Sequence, residues 1–135
     1  ASACVIHWRG FRVAPLVCYD LRFPVFSRRR EGYYYDLLLY IASWPAARRH
    51  AWRTLLAARA IENQAYVVGV NRVGKDGNGH PHAGDSVAHD FLGQPLVELG
   101  DEPAVATATL DGAALTAFRE RFPAHRDADR FTLLP

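Results

Sequence analysis

Lysine occurs once in these 135 residues, at position 75, and cysteine only twice, at positions 4 and 18. Two thiols do not make a disulfide framework. If Cys4 and Cys18 lie on paired strands a single bridge is open to them; as free thiols they fit a reducing, cytosolic compartment. No apolar run approaches the ~20 residues of a membrane helix. No charged-then-apolar leader is visible in the residues given, so no signal peptide is expected. Charge of one sign is not in excess. A net charge of +2 is too small to imply nucleic acid, and the run Arg28, Arg29, Arg30 reads as a solvated helix face. There is no internal repeat and no linker. With half of its residues hydrophobic and 22% charged, the chain reads as one globular domain rather than a disordered or fibrous one.

What is there is a run of β-rich segments interleaved with helical ones. "ACVIHWR" (3–9) and "FRVAPLV" (11–17), with Gly10 between them, predict a hairpin with a tight turn. Pro24 suits the first turn of a short helix over Phe23 to about Glu31. "YDLLLYIAS" (35–43) and "AYVVGVN" (65–71) have strand length and are apolar throughout, which predicts strands buried on both faces. Between them, residues 47–64 show helical spacing, with Trp52, Leu55, Leu56, Ala60 and Ile61 near one face. Short strands are expected in "SVAHDF", "QPLVELG" and "AVATATL" (104–110). A helix follows over 111–122 with Asp111 as its N-cap, and the last twelve residues read as an extended tail. The pattern is that of an α/β layered fold with a mixed sheet.

Cys18 ends the second apolar run, in "LVCYDLRFP". A free cysteine is most often a packing residue. A thiol that ends a strand just before a helix start is different, because backbone N–H groups and the helix dipole face it. Such a place favours a thiolate and offers donors to a developing oxyanion, and Arg22 adds positive charge. A Cys–His pair is one way to activate the thiol. The candidates are His7, His50, His80, His82, His89 and His125, none with a local signature, and the glycines of a nucleophile elbow are absent.

The glycine-rich run 72–85 reads as a surface loop or, more sharply, as a lid over the cysteine. It is not a calcium loop: Pro81 stands where the sixth position needs glycine and Val87 where the twelfth needs glutamate. Nor is it a phosphate loop. His80, His82 and a distant His89, with no carboxylate at a diagnostic spacing, do not make a metal site.

Taken together, "VCYDLRFP", "YDLLLYIASWP", "HAWRTLLAARAIENQAYVVGVNRVG" and "GDSVAHDFLGQPL" resemble the nitrilase superfamily of carbon–nitrogen hydrolases. The likeness is to its ω-amidase-like branch, whose C-terminal tail "FRERFPAHRDADRF" also resembles. The resemblance implies a four-layer αββα sandwich, associated as a homo-oligomer such as a dimer, with no cofactor and no metal. It implies a Glu–Lys–Cys triad acting through a thioester, with Cys18 as nucleophile and the backbone N–H of Tyr19 as an oxyanion donor. The expected substrate is a small-molecule amide, the terminal carboxamide of a dicarboxylic acid monoamide such as α-ketoglutaramate. Arg22 is placed to grip its carboxylate, Trp44 to wall the pocket and Arg48 to add a second charge; a structural ion pair of Arg22 with Asp20 or Asp36 is the alternative. Arg59, Glu62 and Asn63 are expected to brace the nucleophile strand.

In the family the catalytic Glu and Lys lie upstream of the cysteine, and Lys75 matches no catalytic position. Residues 1–135 are therefore expected to be the C-terminal half of a single hydrolase domain, with its N-terminal half as the partner that supplies Glu and Lys. Two other readings stay open. One is a catalytically incompetent fragment or assembly module. The other is a different amidase, a carbamoylase or a nitrilase of the same superfamily.

Overall fold

The computed structural model describes residues 4–132. β1 (Ile6–Trp8) and β2 (Phe11–Val17) form the expected antiparallel hairpin, with Trp8 opposite Phe11. Its two-residue turn has positive φ at both Arg9 (47°) and Gly10 (83°). That backbone matches the right-handed twist of the flanking strands. β2 runs parallel to β3 (Leu37–Ala42), and β3 parallel to β4 (Tyr66–Asn71). β7 (Val87–His89) and β8 (Pro95–Glu98) extend the sheet antiparallel, giving the order β1-β2-β3-β4-β7-β8. The result is an α/β fold with a mixed sheet.

One face of the sheet is closed by α2 (Arg49–Asn63), which crosses between β3 and β4. Its buried stripe is Trp52, Leu56, Arg59, Ala60 and Asn63, at helical spacing. Ile61 lies outside that stripe and is 56% exposed, and Leu55 is half-buried, so the apolar face is narrower than the sequence suggests. The stripe packs on Ala14, Leu38, Tyr40 and Val67. Gly69 makes this close approach possible, since a Cβ there would lie 2.5 Å from Leu56 Cδ1 and 2.9 Å from Trp52 Cζ2.

The opposite face is covered at one end only. Val13, Leu37 and Tyr66 pack under Leu115 of α3 (Gly112–Arg121). At the other end Val17, Ile41 and Val70 are 66%, 59% and 46% exposed. Burial on both faces, expected for β3 and β4, therefore holds for only part of each strand. The cause is the short reach of α3, whose N-cap is Asp111 as expected: its side chain accepts from the Ala114 N–H.

Four local expectations are corrected. The helix over 23–31 is only α1 (Pro24–Ser27), because the Ser27 hydroxyl bonds back to the Pro24 carbonyl and Arg28 turns extended. The run Arg28, Arg29, Arg30 is thus not a helix face; Arg29 folds inward, its N–H donating to Asn63 Oδ1 at 2.9 Å. The 72–85 run is not an unstructured loop, since it contains the hairpin of β5 (Val73–Lys75) and β6 (Pro81–Ala83). "AVATATL" forms no strand: it has no ladder partner among the described residues, although Ala106, Ala108 and Leu110 line one cavity with Val68, Val70 and Val97.

Asp36, just before β3, ties the two ends of the domain together. It accepts from Arg12 at 2.8 Å and from Arg119 of α3 at 2.7 Å. Burial pushes its carboxyl up, but hydrogen bonds from the Arg12 side chain and backbone and from Arg119 outweigh that and hold it at about 2. A carboxyl depressed below its unfolded value, 3.8, stabilises the fold fully above about pH 4. That contribution is lost as pH falls from 4 towards 2. Thermal melts across pH 5 to 2 should show the loss, and Asp36→Asn should be less stable at pH 7 with a flatter dependence over that window.

Candidate active site at Cys18

The apolar runs of β2, β3 and β4 each stop on a small polar residue: Cys18, Ser43 just beyond Ala42, and Asn71. The three strands are parallel and adjacent, so these residues gather at one edge of the sheet, beyond the carboxyl ends, where open α/β sheets place their sites.

Cys18 leaves β2 with φ 42°, in the left-handed region. A non-glycine residue there is strained and persists only where its surroundings enforce it. Residues Cys18–Arg22 form one 3-10 turn. The Asp20 carboxylate accepts from the Val17 N–H at 2.8 Å, closing the turn from outside. Leu21 is fully buried beneath it. Tyr19, next to the thiol, is among the first residues of the turn, whose N–H groups have no partner within it. Its ring points outward, edge-on to Phe23 at 5.1 Å.

α2 enforces this geometry. Arg59, 3% exposed, donates from Nη2 to the Leu21 carbonyl at 2.6 Å and from Nη1 to Glu62 Oε1 at 3.1 Å. Asn63 Nδ2 donates to the Arg59 carbonyl at 3.0 Å. Glu62 is thus committed to Arg59, and the three residues hold the turn that follows the thiol.

The thiol donates to the Ser43 carbonyl with Sγ 3.9 Å away. Beyond Ser43, Trp44 is 3% exposed, packs on Trp52 at 5.6 Å and donates its indole N–H to the Arg48 carbonyl at 2.8 Å. Trp44 is therefore no bare wall. The Arg22 guanidinium covers its ring at 5.1 Å, and Arg22 forms the polar surface. Among the described residues no carboxylate pairs with Arg22. Asp20 is turned to Val17, and Asp36 is taken by Arg12 and Arg119, which removes the alternative of a structural ion pair. Arg48 is exposed and contributes its carbonyl to this cluster.

Cys4 and Cys18 are both free. Among the described residues no imidazole hydrogen-bonds Cys18 Sγ, so the Cys–His arrangement is not formed. Lys75 is exposed on β5. Ser43, which receives the thiol, and Asn71 and His82, which bond Trp44 and Ser43, are assigned no such role by motif reading. For Ser43 and Asn71 the signal is a polar residue at the end of an apolar strand; His82, in the middle of β6, carries none.

The family model for carbon-nitrogen hydrolases matches residues 3–120. The chain belongs to the carbon-nitrogen hydrolase family. It is 57% identical over 133 residues to the ω-amidase YafV of Yersinia enterocolitica, covering 96% of this chain and 50% of that one. It is 36% identical over 118 residues to the 2-oxoglutaramate amidase of Bacillus subtilis, covering 87% of this chain and 45% of that one. Among solved structures it resembles XC1258 of Xanthomonas campestris, described as a CN-hydrolase superfamily protein with an arsenic adduct in the active site. That match has a TM-score of 0.95 at 52% identity and covers 98% of this chain and 52% of the other. This carbon-nitrogen hydrolase chain spans about half the length of the curated relatives it matches.

Proposed function

We propose that this chain carries the nucleophile half of an amidase. The amidase hydrolyses the terminal carboxamide of a small dicarboxylic acid monoamide, such as α-ketoglutaramate, to the acid and ammonia. The observation that carries the reading is Cys18, a free cysteine held at φ 42° at the end of a central strand, beside an arginine with no carboxylate partner among the described residues. The likeness to ω-amidase and 2-oxoglutaramate amidase supports the substrate class.

The chemistry is acyl transfer. Cys18 Sγ attacks the amide carbon as a glutamate base takes the thiol proton. The tetrahedral oxyanion is met by the Tyr19 N–H and a lysine cation. The glutamate returns the proton to the departing nitrogen, ammonia leaves and a thioester remains. Water then adds at the thioester carbonyl, the acid is released and the thiol is restored. Glutamate and lysine come in this proposal from the half of the domain that covers Val17, Ile41 and Val70. Pairing of complete sandwiches into a homo-oligomer rests on the resemblance alone, and free thiols suit a cytoplasmic setting.

Arg22 is the carboxylate anchor and Trp44 its platform. A charge-assisted grip predicts that Arg22→Gln raises KM for α-ketoglutaramate about tenfold to a hundredfold, while a neutral amide of the same length is affected little. Equal losses on both amides would remove Arg22 from the pocket.

A further inference from the structure

The two residues that meet the thiol and the guanidinium, Ser43 and Trp44, are themselves clamped from outside the Cys18 turn. Asn71, buried at the end of β4, accepts from the Trp44 N–H at 2.7 Å and donates to the Trp44 carbonyl at 3.1 Å. Its amide also donates to the Gly84 carbonyl at 2.9 Å, so strand and hairpin share the same latch. On the other side, His82 of β6 lies with Nε2 3.1 Å from the Ser43 hydroxyl and Nδ1 3.0 Å from the His80 carbonyl. The ring is 5% exposed.

The tautomer follows from the partners. A carbonyl only accepts, so Nδ1 carries the hydrogen, and in the neutral ring Nε2 is left as an acceptor. The Ser43 hydroxyl donates to it. The β5–β6 hairpin is thus anchored by a directional side-chain bond one residue from the Trp44 platform, on the residue whose carbonyl receives the Cys18 thiol.

We infer that His82, together with Asn71, is a positioning residue of this site: it fixes Ser43–Trp44, and through them the Cys18 thiol and the Arg22 guanidinium. The inference rests on the amidase reading for its substrate consequence, but not for its effect on the thiol. A thiolate has no proton to give the Ser43 carbonyl, so this contact belongs to the resting thiol. Displacing the Ser43 carbonyl removes this weak hydrogen bond and leaves the sulfur less restrained and more open to an alkylating agent.

The test uses the complete hydrolase, this chain with the segment that completes its domain, and two readouts. One is the ratio of kcat/KM for α-ketoglutaramate to that for pentanamide, which lacks the carboxylate. The other is the rate of alkylation of Cys18 by iodoacetamide, with the exposed Cys4 as internal reference, read by peptide mass spectrometry. Asn71→Leu removes three buried hydrogen bonds and risks the fold, so the variants are His82→Leu, His82→Gln and Ser43→Ala.

His82→Leu should lower the substrate ratio about tenfold and speed Cys18 alkylation about threefold relative to Cys4. His82→Gln keeps an acceptor for Ser43 and should stay within about twofold of the parent. Ser43→Ala should match His82→Leu, with the double variant adding nothing further, as for two residues acting through one contact. An unchanged ratio and alkylation rate in a folded His82→Leu, or equal losses on both amides, would overturn the inference. If the parent hydrolyses neither amide, the amidase reading fails, and the alkylation arm alone decides: a rise supports the clamp and no change rejects it.

Discussion

Replacing Cys18 with alanine should lower ammonia release from α-ketoglutaramate by on the order of 10⁴-fold or more, the loss seen when a covalent nucleophile is removed. No other described side chain can take its place. The one other cysteine, Cys4, is exposed beyond the start of β1, and Lys75 sits on the β5–β6 hairpin. The sulfur lies only at the margin of the main core. Cys18 is half-exposed, its contact with the Ser43 carbonyl is weak, and alanine occupies φ 42° at the same backbone cost as cysteine. Activity should vanish while the circular dichroism spectrum and melting temperature stay within error of the parent. Activity retained in that variant would remove Cys18 from the chemistry.

Trp52→Ala should be the most destabilising single change in the α2 stripe, at about 3–5 kcal/mol. The indole is fully buried and packs at 5.6 Å from Trp44. It also fills the space that Gly69 leaves open on β4. Alanine leaves a cavity that the neighbouring sheet cannot close, and it strands the Asp85 carbonyl, which accepts from Trp52 Nε1 at 2.9 Å. The loss is a large share of the ~5–15 kcal/mol that holds a domain together. Because Trp44 rests on Trp52 and Arg22 rests on Trp44, residual activity should be lost on carboxylate-bearing amides first. Trp52→Phe keeps most of the volume but loses the N–H donor and a small part of the ring, so it should cost less, about 1–2 kcal/mol. Urea denaturation with an unchanged slope gives both numbers; a Trp52→Ala midpoint equal to that of the parent would show that the sheet repacks around the gap.

The parts of this fold that were legible in the sequence are those fixed by local periodicity. Alternation around Gly10 gave the β1–β2 hairpin, and the apolar runs ending at Ala42 and Asn71 gave β3 and β4. The 3.6-residue stripe through Trp52, Leu56 and Ala60 gave α2. What was missed depends on partners distant in the chain. The 72–85 run forms a hairpin because Val73, Gly74 and Lys75 meet Ala83, His82 and Pro81, a pairing its glycines and proline conceal. "AVATATL" has strand composition but no edge to pair with among the described residues, so propensity alone predicts a strand that does not form. α1 stops early through one hydroxyl, that of Ser27.

The site divides the same way. Cys18 and its neighbours were visible as a motif, and the Arg59–Glu62–Asn63 cluster as a short helical segment. Trp44 as a buried platform, Asn71 as a latch and His82 as a clamp come from side chains 27 and 39 residues apart, in separate elements. No spacing rule in a single sequence connects those residues. The depressed Asp36 carboxyl was invisible for the same reason, since Arg119 lies 83 residues away.

The most direct measurement is an acid-quenched reaction of the complete hydrolase with α-ketoglutaramate, digested and read by mass spectrometry. The peptide carrying Cys18 should gain the mass of the acyl group, substrate less ammonia, during turnover and lose it when substrate is exhausted. Ammonia released at the parent rate, with Cys18 unmodified at every quench time and no lag in hydrolysis, would contradict a thioester at this residue.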